Sequence, residues 1–192
     1  MKDKLNMLLE LPDRNKLLVQ EQAYQLFQNA PGSAVTQIIV AALFYILFNN
    51  SLNQSLLVVW CGVLFFLAIS RLAVVWFYNQ KEPIDVKYWL NLFTFMTLLM
   101  GVTWACFSLF YLTIDDVGLK YIFFVVICAL VTAAVPILAA WTPAYYANTL
   151  PQLISLPIIL IYSSSTVNTF LAASFVVYCS MLLKLQRNAN DN

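Results

Sequence analysis

The chain has 192 residues, 62% of them hydrophobic and 10% charged, with a formal net charge of +1 and a mean hydropathy of +0.79. A soluble core of this length cannot hide so much apolar surface, so composition excludes a soluble globular domain. A near-zero net charge also leaves no electrostatic footprint for nucleic acid.

Residues 1–33 come first, and they do not form a cleavable signal peptide, because the first long apolar run starts only at Ala34. Asp13 after Pro12 is placed as an N-cap. Leu17, Leu18, Tyr24 and Phe27, interleaved with Lys16, Gln20, Glu21 and Gln25, then predict an amphipathic cytoplasmic helix along the inner leaflet. Pro31-Gly32 is expected to break it before the first span.

Six apolar stretches fill residues 34–184, at 34–48, 56–78, 88–112, 119–140, 144–162 and 167–184. Most match the roughly 17 to 25 residues of a bilayer-crossing helix, and the first, being short, is expected to begin within the preceding helix. The segments between them are turns with no room for a soluble domain, and residues 185–192 leave the last span as the start of a cytoplasmic linker. The expected fold is all-α, a six-helix transmembrane bundle.

Charge fixes an expected orientation. With the N-terminus inside, Lys2, Lys4, Arg14, Lys16, Lys81, Lys87, Lys184 and Arg187 are cytoplasmic and only Lys120 is external, which favours cytoplasmic termini. Trp76, Tyr78, Tyr88, Trp89 and Trp141 would mark the inner interface, and Trp60, Tyr111, Tyr121 and Tyr162 the outer one.

Catalytic and cofactor chemistry finds little material. Histidine is absent, and Cys61, Cys106, Cys128 and Cys179 fall within spans without a C-x-x-C pair, reading as small core hydrophobes. All nine acidic residues lie in termini or loops, Asp115 and Asp116 in a solvated outer turn, so no span holds a proton-relaying carboxylate. The four glycines, Gly32, Gly62, Gly101 and Gly118, form no phosphate loop. These residues predict no enzyme and no cofactor.

Arg71 is the one charge well inside a span. A guanidinium at that depth can snorkel to lipid phosphates, or it can face the bundle and hold a polar or anionic group, since no acid is there to neutralise it. In the third span Asn91, Thr94, Thr97, Gly101, Trp104 and Ser108 recur at helical spacing. In the fifth, Trp141, Tyr145, Asn148, Gln152 and Ser155 do the same. Polar faces in a membrane turn toward each other or toward a cavity. They serve either interhelical hydrogen bonding or, with Arg71, a ligand pocket whose candidate residues are Arg71, Thr94, Trp104, Tyr145, Asn148 and Gln152. Pro136, Pro151 and Pro157 free the carbonyls of Thr132, Ala147 and Leu153 and make the fourth and fifth helices the candidate mobile elements.

The run RLAVVWFYNQKEP (71–83), Gly101 and Trp104 followed by Phe110, and AAVPILAAWTPAYYANTLPQLISLPIIL (133–160) resemble the N-terminal multi-helix membrane sensor module, of the MASE kind, that precedes GGDEF, GGDEF-EAL or histidine-kinase domains in bacteria. The likeness spans roughly residues 15 to 185 and implies a non-catalytic, multi-pass inner-membrane sensor. Such a domain would detect a membrane-soluble or small-molecule cue, lipid-like ligands included, and pass it through the last helix to a cytoplasmic cyclic-di-GMP or kinase output. It also implies a homodimer, for which Ala129 and Ala133 or Ala172 and Ala173 offer small-residue faces. A small transporter or channel subunit, or a ligand-free scaffold, is the alternative reading. No inverted repeat with matched broken helices supports transport.

The charge asymmetry generates a first expectation. Reporter fusions should read as cytoplasmic at both termini and after Tyr78, and as external after Phe48 and Leu112; an external C-terminus would overturn the six-span orientation.

Overall fold

The structure, a computed structural model, describes residues 14–80, 85–163 and 165–191, and among these the side chains from 17 to 186. The Asp13 cap, Lys2, Lys4, Lys81 and Glu82 lie outside the described residues. Six helices follow one another: α1 (Arg14–Phe48), α2 (Gln54–Gln80), α3 (Val86–Phe107), α4 (Val117–Leu138), α5 (Thr142–Tyr162) and α6 (Thr166–Asp191). A 3-10 turn, Ser108–Leu112, extends α3. There is no strand among the described residues, and all six helices are long and apolar enough to cross a membrane. The chain is an all-α, multi-pass membrane protein.

Local chemistry starts these helices where it should. The Asn53 side chain accepts from the backbone N–H groups of Ser55 and Leu56, Asp85 accepts from Tyr88 at 3.2 Å, and Asp116 accepts from Leu119 at 3.0 Å. Each satisfies donors that a helix N-terminus leaves orphaned. Asp116, read from sequence as part of a solvated turn, is thus the cap of α4. Pro143 in the first turn of α5 needs no donor there.

The expected break at Pro31-Gly32 does not occur: α1 runs unbroken for 35 residues. Its buried residues Ala23, Leu26, Phe27, Ala30, Ala34, Ala41, Phe44 and Phe48 keep helical spacing across the proline. In hydrocarbon a broken helix would leave further backbone groups with no water to satisfy them, so the helix continues through the proline. The first half of α1 therefore belongs to the bundle, with Phe27 4.3 Å from the Tyr78 ring and 5.6 Å from Phe93.

The exterior is apolar and the interior carries the polar groups, as hydrocarbon surroundings require. Ile46, Phe66, Val125, Phe170 and Met181 are exposed, whereas Ser33, Arg71, Thr97, Ser108, Asn148, Thr149, Gln152 and Gln186 are buried. Some side chains depart from their expected places. Trp60 and Tyr111, expected at the outer interface, are buried. Trp60 stacks on Phe107 at 3.9 Å inside an aromatic cluster with Phe44, Trp104 and Phe123. Cys106, expected in the core, is exposed on the outside. Ala172 is buried within its own chain.

Helix α5 is the centre of the packing, contacting α3, α4 and α6, while α6 rests chiefly on α5 and α4. Close approach of α3 and α5 depends on Gly101. A methyl group there would lie 2.5 Å from the Asn148 carbonyl oxygen and 2.9 Å from that of Ala147. Ala147 is the carbonyl that Pro151 leaves without its helical donor, so the helix that must tolerate an orphan acceptor lays it against a glycine backbone. Gly101→Ala should therefore cost about 1–3 kcal/mol in denaturant unfolding in mixed micelles, because neither backbone oxygen can yield easily. Gly62→Ala, whose added atom meets nothing within 4 Å, should be neutral or gain up to about 1 kcal/mol.

Candidate functional site

Arg71 faces the bundle: it is 3% exposed, which excludes snorkelling in this arrangement. It stands nine residues before the end of α2 at Gln80, about 14 Å at 1.5 Å per residue. Its Nη2 donates to Ser33 Oγ at 3.1 Å, and its guanidinium carbon lies 4.7 Å from the centre of the Phe93 ring. Its Nε is buried with no hydrogen-bond partner. Ser33 Oγ in turn donates to the Ala30 carbonyl at 2.8 Å, one turn back on α1.

Beside this guanidinium is a cleft of about 30 Å³ lined by Ser33, Thr36 and Gln37 of α1, Arg71 of α2, Asn148 of α5 and, on α4, Leu130, Ala133, Ala134, Ile137 and Leu138. That is room for one or two water-sized groups. Thr36 and Ala133 at its rim are exposed, so the cleft opens sideways between α1 and α4. Gln37 ties it to the aromatic cluster, its Oε1 accepting from Trp104 Nε1 at 2.8 Å.

The six residues singled out by sequence are therefore only partly together. Arg71 and Asn148 line the cleft, and Trp104 adjoins it through Gln37. Thr94 belongs to another contact, accepting from Trp141 Nε1 at 3.0 Å and donating to the Leu90 carbonyl. Gln152 turns back on its own helix, Nε2 donating to the Asn148 carbonyl at 3.0 Å, with its Oε1 buried and unpartnered. The Tyr145 hydroxyl lies beside that of Thr149, and both are buried without hydrogen-bond geometry. Tyr145 and Gln152 are buried and Thr94 is half-buried, but none of the three lines the Arg71 cleft. Asn91 is exposed, so the polar face of α3 begins one turn later than its sequence spacing implied.

Ser33, Thr36 and Gln37 are the residues sequence reasoning missed. Their signal was present as a polar triple at positions i, i+3 and i+4, and the assumed break at Pro31-Gly32 hid it. A larger groove of about 490 Å³ lies between α1 and α2, lined by residues such as Ile38, Ala41, Tyr45, Cys61, Gly62 and Phe65. Its walls carry no charge, and acyl chains fill such a surface in a bilayer, so the smaller cleft is the chemically distinctive one. Among the described residues no group of three or more His, Cys, Asp or Glu side chains could hold a metal.

Comparison of the chain with protein-family models, curated proteins and solved structures gives no match. The site must be understood from its own chemistry.

One charge-assisted hydrogen bond contributes about 1.5–3 kcal/mol, and a desolvated cation–π contact about 2 kcal/mol. Burying an ion costs several kcal/mol, so Arg71 is held at little or no gain in stability. Arg71→Met should accordingly leave resistance to unfolding in mixed micelles equal or higher, whereas Ser33→Val, which orphans the guanidinium further, should lower it by about 1–3 kcal/mol. A loss of more than about 3 kcal/mol in Arg71→Met would identify a structural keystone instead.

Proposed function

We propose that this chain is a membrane-embedded sensory domain whose cue occupies the Arg71 cleft and whose response leaves through α6. The observation that carries this reading is the buried, incompletely partnered guanidinium in a cleft where four helices meet. A charge kept at that cost without a gain in stability is a functional residue by default in a membrane bundle. Detection requires only that a ligand bind two helix arrangements with different affinity.

The contacts leading from the cleft to α6 support the second half of the proposal. Helix α5, which carries Asn148, packs against α3 and α6. Tyr178 of α6 meets the Thr132 hydroxyl and donates to the Cys128 carbonyl at 3.3 Å, close to where Pro136 frees the Thr132 carbonyl. Gln186 Nε2 donates to the Ala139 carbonyl at 3.1 Å, at the turn between α4 and α5. Both proline-bearing helices thus pack against α6, and a shift of either would be felt there. The output we infer is a cytoplasmic cyclic-di-GMP or kinase domain in the inner membrane of a bacterium, with α6 as the cytoplasmic connector and a homodimer as the working unit. Transport has weaker support, because the packed rings of Phe44, Trp60, Trp104, Phe107 and Phe123 fill the interior beyond the cleft.

A chimaera tests this: the full chain joined after Asn192 to a diguanylate cyclase domain, with cyclic-di-GMP measured in cells at matched membrane abundance. Ser33→Asp, which sets a carboxylate against Arg71, and Arg71→Gln should each change output by roughly fivefold or more, the lower range of allosteric coupling. Output indifferent to both would overturn the sensory reading.

A further inference from the structure

The cleft has a chemistry narrow enough to name its ligand class. Arg71 is an obligate cation, it is buried, and no ion pair neutralises it among the described residues, where Glu21, Asp85, Asp115 and Asp116 are all exposed. One Nη–H is spent on Ser33, and the buried Nε–H remains without an acceptor. The group that belongs there is therefore an acceptor bearing negative charge. The other polar lining fits the same role: Gln37, with its Oε1 already taken by Trp104, has its amide N–H groups left to donate, and Asn148 supplies a second amide.

Size selects among anions. A space of about 30 Å³ admits one or two water-sized groups, which suits the two oxygens of a carboxylate and is too small for a phosphate with four. Guanidinium and carboxylate are also matched in plane and in spacing of donors and acceptors.

Access selects the carrier. The rim residues Thr36 and Ala133 are exposed on the side of the bundle, between α1 and α4, and the remaining α4 lining is Leu130, Ala134, Ile137 and Leu138. A ligand arriving by that path comes from the bilayer and leaves an apolar body among acyl chains and α4 side chains.

We propose that the Arg71 cleft binds the carboxylate head of a single-chain, apolar-tailed carboxylic acid that reaches it laterally from the membrane, between α1 and α4. The neutral acid partitions into the bilayer and ionises at the guanidinium, its proton leaving to bulk water. The inference rests on the sensory reading of the same cleft and adds the identity of the cue's head group.

The test uses the full chain in maltoside micelles with oleate carrying a 13C-labelled carboxyl group. Saturable binding near one oleate per chain is expected, weakened at least tenfold in Arg71→Gln. Ser33→Asp, which keeps Arg71 but occupies it internally, should lose binding to a similar degree, and unfolding midpoints show that both variants are folded. Oleyl alcohol should not compete, since it lacks the charge, and acetate should not compete, since it lacks the tail. Alcohol competing as well as oleate, or unaltered binding in both variants, overturns the carboxylate assignment. Acetate competing as strongly overturns the membrane-borne source, and phosphatidic acid binding more tightly than oleate overturns the choice of carboxylate over phosphate. The cyclase chimaera separates the two readings. Oleate bound with output unmoved by Ser33→Asp overturns the sensory function and leaves the ligand class standing. Output moved by Ser33→Asp with no oleate bound overturns the ligand class and leaves the sensory function standing.

Discussion

Hydrocarbon offers no hydrogen bonds, so each polar group in this bundle must find its partner inside the protein, and that constraint arranges the helices around Arg71. Ser33 brings α1 to it, Phe93 brings α3, and Asn148 brings α5 to the lining of the same cleft. Gly101 makes the last of these possible by letting the two backbones touch. Apolar packing elsewhere in the bundle contributes less specificity, since lipid tails compete equally well for the same surfaces. Polar contacts and close backbone approach select one arrangement out of many that would be comparably greasy.

Several of the buried polar groups left without partners lie on α5, beside its prolines. Tyr145, Thr149 and Gln152 of α5 retain unpartnered polar atoms on either side of Pro151. In a rigid interior such atoms cost about 1–3 kcal/mol each. Their concentration on the central helix leaves α5 with polar atoms able to take up other partners, which the proposed two-state element would need. The neighbouring α4 carries its own proline, and α6 is bonded to α4 through Tyr178 and to the α4–α5 turn through Gln186.

Much of this was legible in the sequence because the bilayer imposes strong rules. Span positions followed from apolar length, and burial of Thr97, Trp104, Ser108, Tyr145, Asn148 and Gln152 followed from steps of three and four. Two failures have physical causes. A proline in water-exposed sequence usually ends a helix, but at Pro31 hydrocarbon offers no water to a broken backbone, and α1 continues with its stripe from Ala23 to Phe48 intact; overlooking that continuity concealed Ser33 and Gln37. Periodicity also reports which face is polar without reporting which neighbour it meets, so Thr94, Tyr145 and Gln152 were grouped with Arg71 although the helices direct them elsewhere.

The uninterrupted α1 has a mechanical consequence. Thirty-five residues span about 52 Å, well beyond a hydrocarbon thickness of roughly 30 Å, so this helix must either lean or project into the aqueous phase. Its lean is not independent of the cleft, because Ser33 and Gln37 ride on the same rigid rod. Where the rod leans, a thinner membrane that tilted it further would draw Ser33 away from Arg71, the one buried charge among the described residues.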